Sequence, residues 1–247
     1  MFKKINCCAW ALAAIAAAVT LSAQAGVVIS GTRIIYPEGN KEVSVRLTNA
    51  GSDPALVQAW VDDGRENATP NDLSVPFVLT PPVARIEPGK GQTLRLMFTG
   101  ADLPKDKESV FWFNALEIPP KPVNADSRNL MQFAFRTRIK LFYRPSGLTG
   151  NPIENIKQVT WSLAPAANGK GQRVRANNPS PYFVSFGELS VIDGGKRIAL
   201  EPGMIPPKGT ADFKPVKGEL SASAKAQVDY ASINDYGGIA KGTSPLQ

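Results

Sequence analysis

The side chains that could carry chemistry are distributed in a way that removes most reaction classes. The 247-residue chain has no histidine, and its two cysteines, Cys7 and Cys8, lie in its first ten residues. Thiol nucleophiles, imidazole general bases, disulfides and the usual zinc or copper ligand sets are therefore excluded from everything beyond that segment. No cofactor and no metal are expected. Carboxylates remain at Asp62, Asp63, Glu108 and Glu117. A pair of them could hydrolyse a glycoside, but their scatter over strand-like and loop-like stretches offers no convergent pair. The chain reads as a non-enzyme. Trp60, Trp112 and Trp161 could stack on a sugar, as in a secreted adhesin or carbohydrate-binding sandwich. All three lie within strand-like stretches, where a core role is expected instead.

What remains is binding chemistry, and one stretch concentrates it. Residues 129–145 read N-L-M-Q-F-A-F-R-T-R-I-K-L-F-Y-R-P. Odd positions carry Met131, Phe133, Phe135, Thr137 and Ile139; even positions carry Gln132, Arg136, Arg138 and Lys140. Period-2 alternation makes this a strand with one oily face, and it is long against a usual strand of about 5–6 residues. Two readings of the Met-Phe-Phe row stay open on the residues alone: it faces its own domain's core, or it is offered to a partner.

The elements around this strand are short and apolar. The first 25 residues form a secretory leader: Lys3 and Lys4, an apolar run over 9–21, and the small-x-small site Ala23-Gln24-Ala25. Cleavage after Ala25 is expected. The apolar run falls short of the roughly 20 residues that span a bilayer, so no stable membrane insertion is expected. The chain carries a formal +7. Without Lys3 and Lys4, 26 basic and 21 acidic residues leave a net +5. With no long Lys/Arg run, a nucleic-acid partner is not expected, though a local basic site for an anion is compatible.

From residue 26 onward strands are predicted at 27–36, 42–48, 55–61, 77–80, 92–98, 109–118 and 129–145, seven in all, with turns at 37–40 and 85–89. Pro81-Pro82 is a candidate cis step. Residues 144–152 hold two prolines and two glycines and mark a boundary. Beyond it, shorter strands are predicted at 156–163, 172–176, 182–191, 196–200, 210–213 and 225–233. The fold class is all-β: two immunoglobulin-like sandwiches, with a leader at 1–25, a first domain at 26–146 and a second at 147–247.

Five motifs then occur in a telling order: T-P-P-V-A-R-I-E-P-G (80–89), D-K-E-S-V-F-W-F-N-A-L-E-I-P-P (106–120), I-K-L-F-Y-R-P (139–145), N-N-P-S-P-Y (177–182) and I-N-D-Y-G-G (233–238). Together they make the chain resemble the periplasmic PapD-like chaperones of the chaperone–usher pilus pathway, over essentially its whole mature length. The resemblance implies an L or boomerang of two domains with a cleft between them. It also implies periplasmic localisation, with pilin subunits and an outer-membrane usher as partners. An exposed apolar strand on the free protein would in turn favour self-association that covers it. Subunits would be bound by donor-strand complementation, the chaperone lending a strand to an incomplete pilin sandwich.

Carried over residue by residue, the resemblance assigns the lent side chains to Met131, Phe133 and Phe135. It assigns an anchor for the subunit's C-terminal carboxylate to Arg33 and Lys140. It assigns an inter-domain charged network to Glu108, Arg144 and Asp235, and an usher-facing patch to Pro82, Val83 and Arg95. Lys140 has even parity, so it is expected on the face opposite the lent row, toward the cleft. Two departures from the family stand out. No second-domain disulfide can form, and residues 240–247 lack the look of a final strand, so the second domain is expected to end early. The eleven-residue connection 119–129 resembles the short-loop chaperones of rod-like pili.

Overall fold

The computed structural model describes residues 26–120, 131–166, 171–223 and 225–247. The expected leader at 1–25, most of the 119–129 connection and residues 129–130 lie outside them. Strands make up the molecule, in two sandwiches with separate cores.

The first sandwich has nine strands, not seven: β1 Val27–Ile29, β2 Arg33–Pro37, β3 Val43–Asn49, β4 Ala55–Asp62, β5 Phe77–Thr80, β6 Val83–Ile86, β7 Gly91–Phe98, β8 Ser109–Ile118 and β9 Phe135–Arg144. One sheet runs β1-β3-β7-β5 and the other β2-β9-β8-β4-β6. Both added strands have a simple cause. The apolar run 27–36 is divided between the two sheets. β1 pairs antiparallel with β3, and β2 crosses over to pair parallel with β9. The crossing is made at Ser30-Gly31-Thr32, where Gly31 has φ +128°, a conformation that a side chain would strain. The expected turn at 85–89 begins later than predicted, because Val83–Ile86 pairs with β4 as an edge strand. The cis bond lies at Thr80–Pro81. Alternating residues of both sheets fill the core: Leu47, Leu94, Leu96, Phe113 and Leu141 are fully enclosed, with Tyr36 and Tyr143 stacked at 6.1 Å.

The second sandwich contains β10 Thr160–Pro165, β11 Gln172–Asn178, β12 Val184–Asp193, β13 Lys196–Leu200, β14 Met204–Ile205, β15 Gly209–Phe213, β16 Gln227–Ile233 and β17 Ile239–Pro245. The order is β10-β11-β15 in one sheet and β13-β12-β16-β17 in the other, with β14 on β12. Trp161 is its central core residue, against Phe186, Phe213 and Tyr230. The start expected at Ile156 is a short 3-10 turn, Asn155–Gln158.

The second domain does not end early. β17 pairs with β16 at seven consecutive positions, from Ile239 opposite Ile233 to Pro245 opposite Gln227. Leu246 then enters the core at 3 % exposure, and the Gln247 N–H donates to the Trp161 carbonyl at 2.8 Å. The segment I-A-K-G-T-S-P is poor in β-branched and aromatic residues. Its strand comes from the neighbouring ladder and from burial of Leu246, roughly 1.5–3 kcal/mol for such a side chain.

Candidate functional site

β9 organises the site. It is central in its sheet, between β2 and β8, and begins at Phe135 rather than 129. The start is set by its neighbour. Glu117 pairs with Phe135, and beyond Ile118 the neighbouring chain is Pro119-Pro120, which has no N–H to offer a ladder. Residues 131–134 therefore extend past the sheet. Met131, Phe133 and Phe135 are 81 %, 61 % and 67 % exposed. They share parity with the core residues Leu141 and Tyr143, yet they run beyond the core they would otherwise enter. The own-core reading of this row does not hold.

The even face of β9 is covered along its length. Arg136 donates to Asn114 Oδ1 at 2.8 Å and to the Glu66 carbonyl at 2.6 Å, and its guanidinium lies 5.1 Å from the Trp60 ring centre. Arg138 makes two bonds to Asp62, 2.6 and 2.9 Å, and stacks 4.1 Å over Trp112. Asp62 has no exposed surface. Burial works to raise its carboxyl, but Arg138, Asn114 and the Gly64 N–H together hold it below the usual carboxylate range. The core role expected for Trp60 and Trp112 does not hold: they are half-buried platforms under arginines. Trp161 does fill a core. Alternation within one strand revealed the basic row. Its partners, Asp62, Asn114, Trp60 and Trp112, were not recognised, because only the β4-β8-β9 register brings them beneath it.

Further along the same face, Lys140 sits opposite Trp112 on one side and Arg33 on the other. The register is unbroken, so no bulge turns Lys140. The even face is the face toward the second domain: Lys140 Nζ donates to Ser185 Oγ at 3.3 Å, and Arg33 Nη1 to the Ile233 carbonyl at 3.0 Å. Arg33 Nε is buried without a hydrogen-bond partner. Burial, with the Arg33 charge adding to it, pushes the Lys140 ammonium down to about 8. Burial also lowers Arg33, opposed by Asp235. Among the described residues no carboxylate forms an ion pair with either cation. Two desolvated cations side by side have the charge and the donors to hold one anion.

At the root of β9 the domains are bolted together. Arg144 donates through Nε to Glu108 Oε1 at 2.7 Å and through both terminal nitrogens to Asp235 at 2.7 and 2.9 Å. The other Glu108 oxygen accepts from the Phe183 N–H at 2.8 Å. Burial raises the Glu108 carboxyl, and Arg144 and that N–H oppose it. Phe142 packs on Phe183 at 5.5 Å, and Lys208 pairs with Asp106 at 2.6 Å. The three network residues predicted from sequence are thus in one contact set. Pro82 and Val83 are exposed at the start of β6, and Arg95 lies opposite Thr80, with its Nε bonded to Glu42 at 2.7 Å.

Two immunoglobulin-like domains bolted through a charged network, with an exposed apolar strand end and a cationic cleft, define a two-domain strand-presenting binding protein. The comparisons place it further. Residues 26–149 match the family of pili and flagellar-assembly chaperones, PapD N-terminal domain, and residues 154–244 the pili assembly chaperone PapD, C-terminal domain. The chain is 47 % identical over 232 residues to the probable fimbrial chaperone YadV of Escherichia coli (strain K12), covering 93 % of each chain. It is 42 % identical to the chaperone protein FimB/FhaD of Bordetella pertussis, covering 92 % of this chain and 91 % of that one. The YadV crystal structure superposes with a TM-score of 0.77 over 90 % of this chain and all of that one, at 44 % identity. The SafB chaperone, solved in complex with the Salmonella enterica SafA pilin, has a TM-score of 0.71 at 25 % identity, over 90 % of this chain and 96 % of that one. The chain belongs to the PapD-like pilus chaperone family.

Proposed function

We propose that this protein is a periplasmic pilus chaperone that holds pilin subunits by lending them residues 131–135, at the start of its β9 stretch, and passes them to an outer-membrane usher. The observation that carries the reading is the placement of Met131, Phe133 and Phe135: exposed, aligned, and continuous with the strand that bears Lys140. Each buried side chain contributes roughly 1.5–3 kcal/mol, so the row contributes about 5–9 kcal/mol before ordering costs. Arg33 and Lys140 bind the subunit's terminal carboxylate, a charge-assisted contact of about 1.5–3 kcal/mol, and fix the register of the lent strand. Glu108, Arg144 and Asp235 hold the domain angle on which the cleft depends. Pro82, Val83 and Arg95 form the usher-facing patch. The chemistry is binding without catalysis, and the leader at 1–25 directs export. SafB, solved with a pilin, supports the partner class.

The adhesin reading loses its best support, because the ring faces of Trp60 and Trp112 lie under arginines. Co-expression in the periplasm with the adjacent pilin genes tests the proposal. A subunit co-purifies with the wild type, and Phe133→Asp or Lys140→Ala reduces its recovery. Unchanged recovery in both variants, or glycan binding by the chaperone alone, would overturn it.

A further inference from the structure

At the opposite end of β8 from the cleft, Glu117 lies over Gly26. Its Oε2 accepts the Val27 N–H at 2.8 Å. A Cβ on Gly26 would overlap this carboxylate, with its carbon 2.6 Å away. The Gly26 carbonyl is itself held by the Ala50 N–H at 3.0 Å. A residue's nitrogen lies about 2.5 Å from its Cβ position by standard geometry, so the Gly26 nitrogen is within about 5 Å of the Glu117 carboxylate. The open cleft here is lined by Gly26, Asn49, Asp53, Ala55, Glu117 and Pro119, among others. Its titratable groups are Glu117 and Asp53, both acids, and no described Lys or Arg lines it.

We propose that removal of the leader supplies a cation to the two acids of this cleft: the α-ammonium of Gly26 is captured by Glu117, with Asp53 as a more distant second carboxylate. The proposal rests on the reading that the leader is cut after Ala25. In the precursor the same nitrogen is an uncharged amide and offers one hydrogen. In the mature chain it is a primary ammonium with three. Gly26 suits this site because any side chain would displace the carboxylate. The capture has a functional address, since Glu117 is the residue of β8 that pairs with Phe135. Maturation therefore ties down the end of β8 where the lent strand leaves its sheet.

The mature, exported protein tests this. Its intact mass first identifies residue 26 as the N-terminus. An NMR titration of labelled Gly26 then reads the amine. A free α-amino group titrates at about 7.7–8.0; here it titrates about one unit higher, Glu117→Gln returns it to that range, and Asp53→Asn shifts it less. The amine's folded pKa lies above its unfolded value, so its contribution to stability is complete below about pH 7.7 and fades as pH rises past the folded pKa. The stability gap between wild type and Glu117→Gln closes accordingly above about pH 10. A one-residue extension before Gly26 also closes it. An ordinary amine pKa in the wild type, or a raised one that survives Glu117→Gln, overturns the proposal. A different N-terminus would defeat the leader reading alone; the same titration on a chain produced to begin at Gly26 still decides the ion pair.

Discussion

The two faces of β9 are built on opposite principles. Its odd face, at the free end, is a row of large apolar side chains left mostly exposed. Its even face is occupied at each step, by Arg136 on Trp60, Arg138 on Trp112 and Asp62, Lys140 on Ser185, Phe142 on Phe183, and Arg144 on Glu108 and Asp235. The difference teaches how a strand can be kept ready for a partner. A flexible oily segment would lose much of its binding energy to ordering. Here the contacts of the even face order β9 from Arg136 onward, on the side opposite the exposed row.

Changes to the even face should therefore damage the fold and the capture of subunits together, whereas changes to the odd face should damage capture alone. The largest effect is expected from Arg144→Ala. It strands the buried Glu108 carboxylate, and breaking such a pair costs about 3–5 kcal/mol. Urea denaturation should show the loss, and small-angle scattering a wider spread of domain angles. Asp62→Asn comes next. It removes the carboxylate that two arginines share, and about 2–3 kcal/mol of charge-assisted bonding is expected to go. Because the Asp62 carboxyl is held below its ordinary value, its contribution is present above about pH 4 and lost as pH falls through the folded value. The acid limb of the wild-type stability curve should therefore flatten in Asp62→Asn.

Phe133→Asp probes the other face. Its own-fold stability should stay within about 0.5 kcal/mol, as for exposed sites, while subunit affinity falls about 10–150-fold, the equivalent of 1.5–3 kcal/mol. A large loss of stability in this variant would break the comparison. Lys140 gives a finer test because it belongs to both aspects. Its folded value of about 8 is depressed from the ordinary 10.5. Between those values the unfolded chain holds the extra proton, so the free chaperone gains stability as pH rises from about 8 to 10.5. Over the same range the neutral amine loses its hold on a carboxylate, so subunit affinity falls. Lys140→Met should abolish both slopes. The smallest effect is expected away from β9, from Val83→Asp at the start of β6, which leaves stability and capture unchanged and lowers delivery to the usher in a pilus-assembly assay.

How much of this was legible in the sequence follows from the range of the signals. Alternation in residues 129–145 is local, so the oily row, the basic row and the parity of Lys140 could be read directly. The motifs located Glu108, Arg144 and Asp235; Arg144 meets Asp235 across 91 residues of chain separation and Glu108 across 36. Asp62 and the two tryptophans were visible as residue types but not as partners, since cross-strand register is not written in any one segment. The start of β9 was misplaced because it depends on prolines at the end of β8. β17 was missed because it owes its conformation to β16 and to the socket that takes Leu246 rather than to its own propensity.

The crossing at Ser30-Gly31-Thr32 carries a consequence of its own. Arg33 and Lys140 are neighbours because β2 runs parallel to β9 in a single register, and that register is set by how much chain spans the gap between the sheets. The link is thus a ruler as well as a hinge. One residue added or removed there would leave β1 and the core pattern of β3 in place. Passed on to β2, it would also slide the Arg33 guanidinium one step from Lys140 and turn it to the sandwich interior, with Ile34 and Tyr36 turned out of the core. The cationic receptor would come apart by arithmetic alone, with every one of its side chains still present.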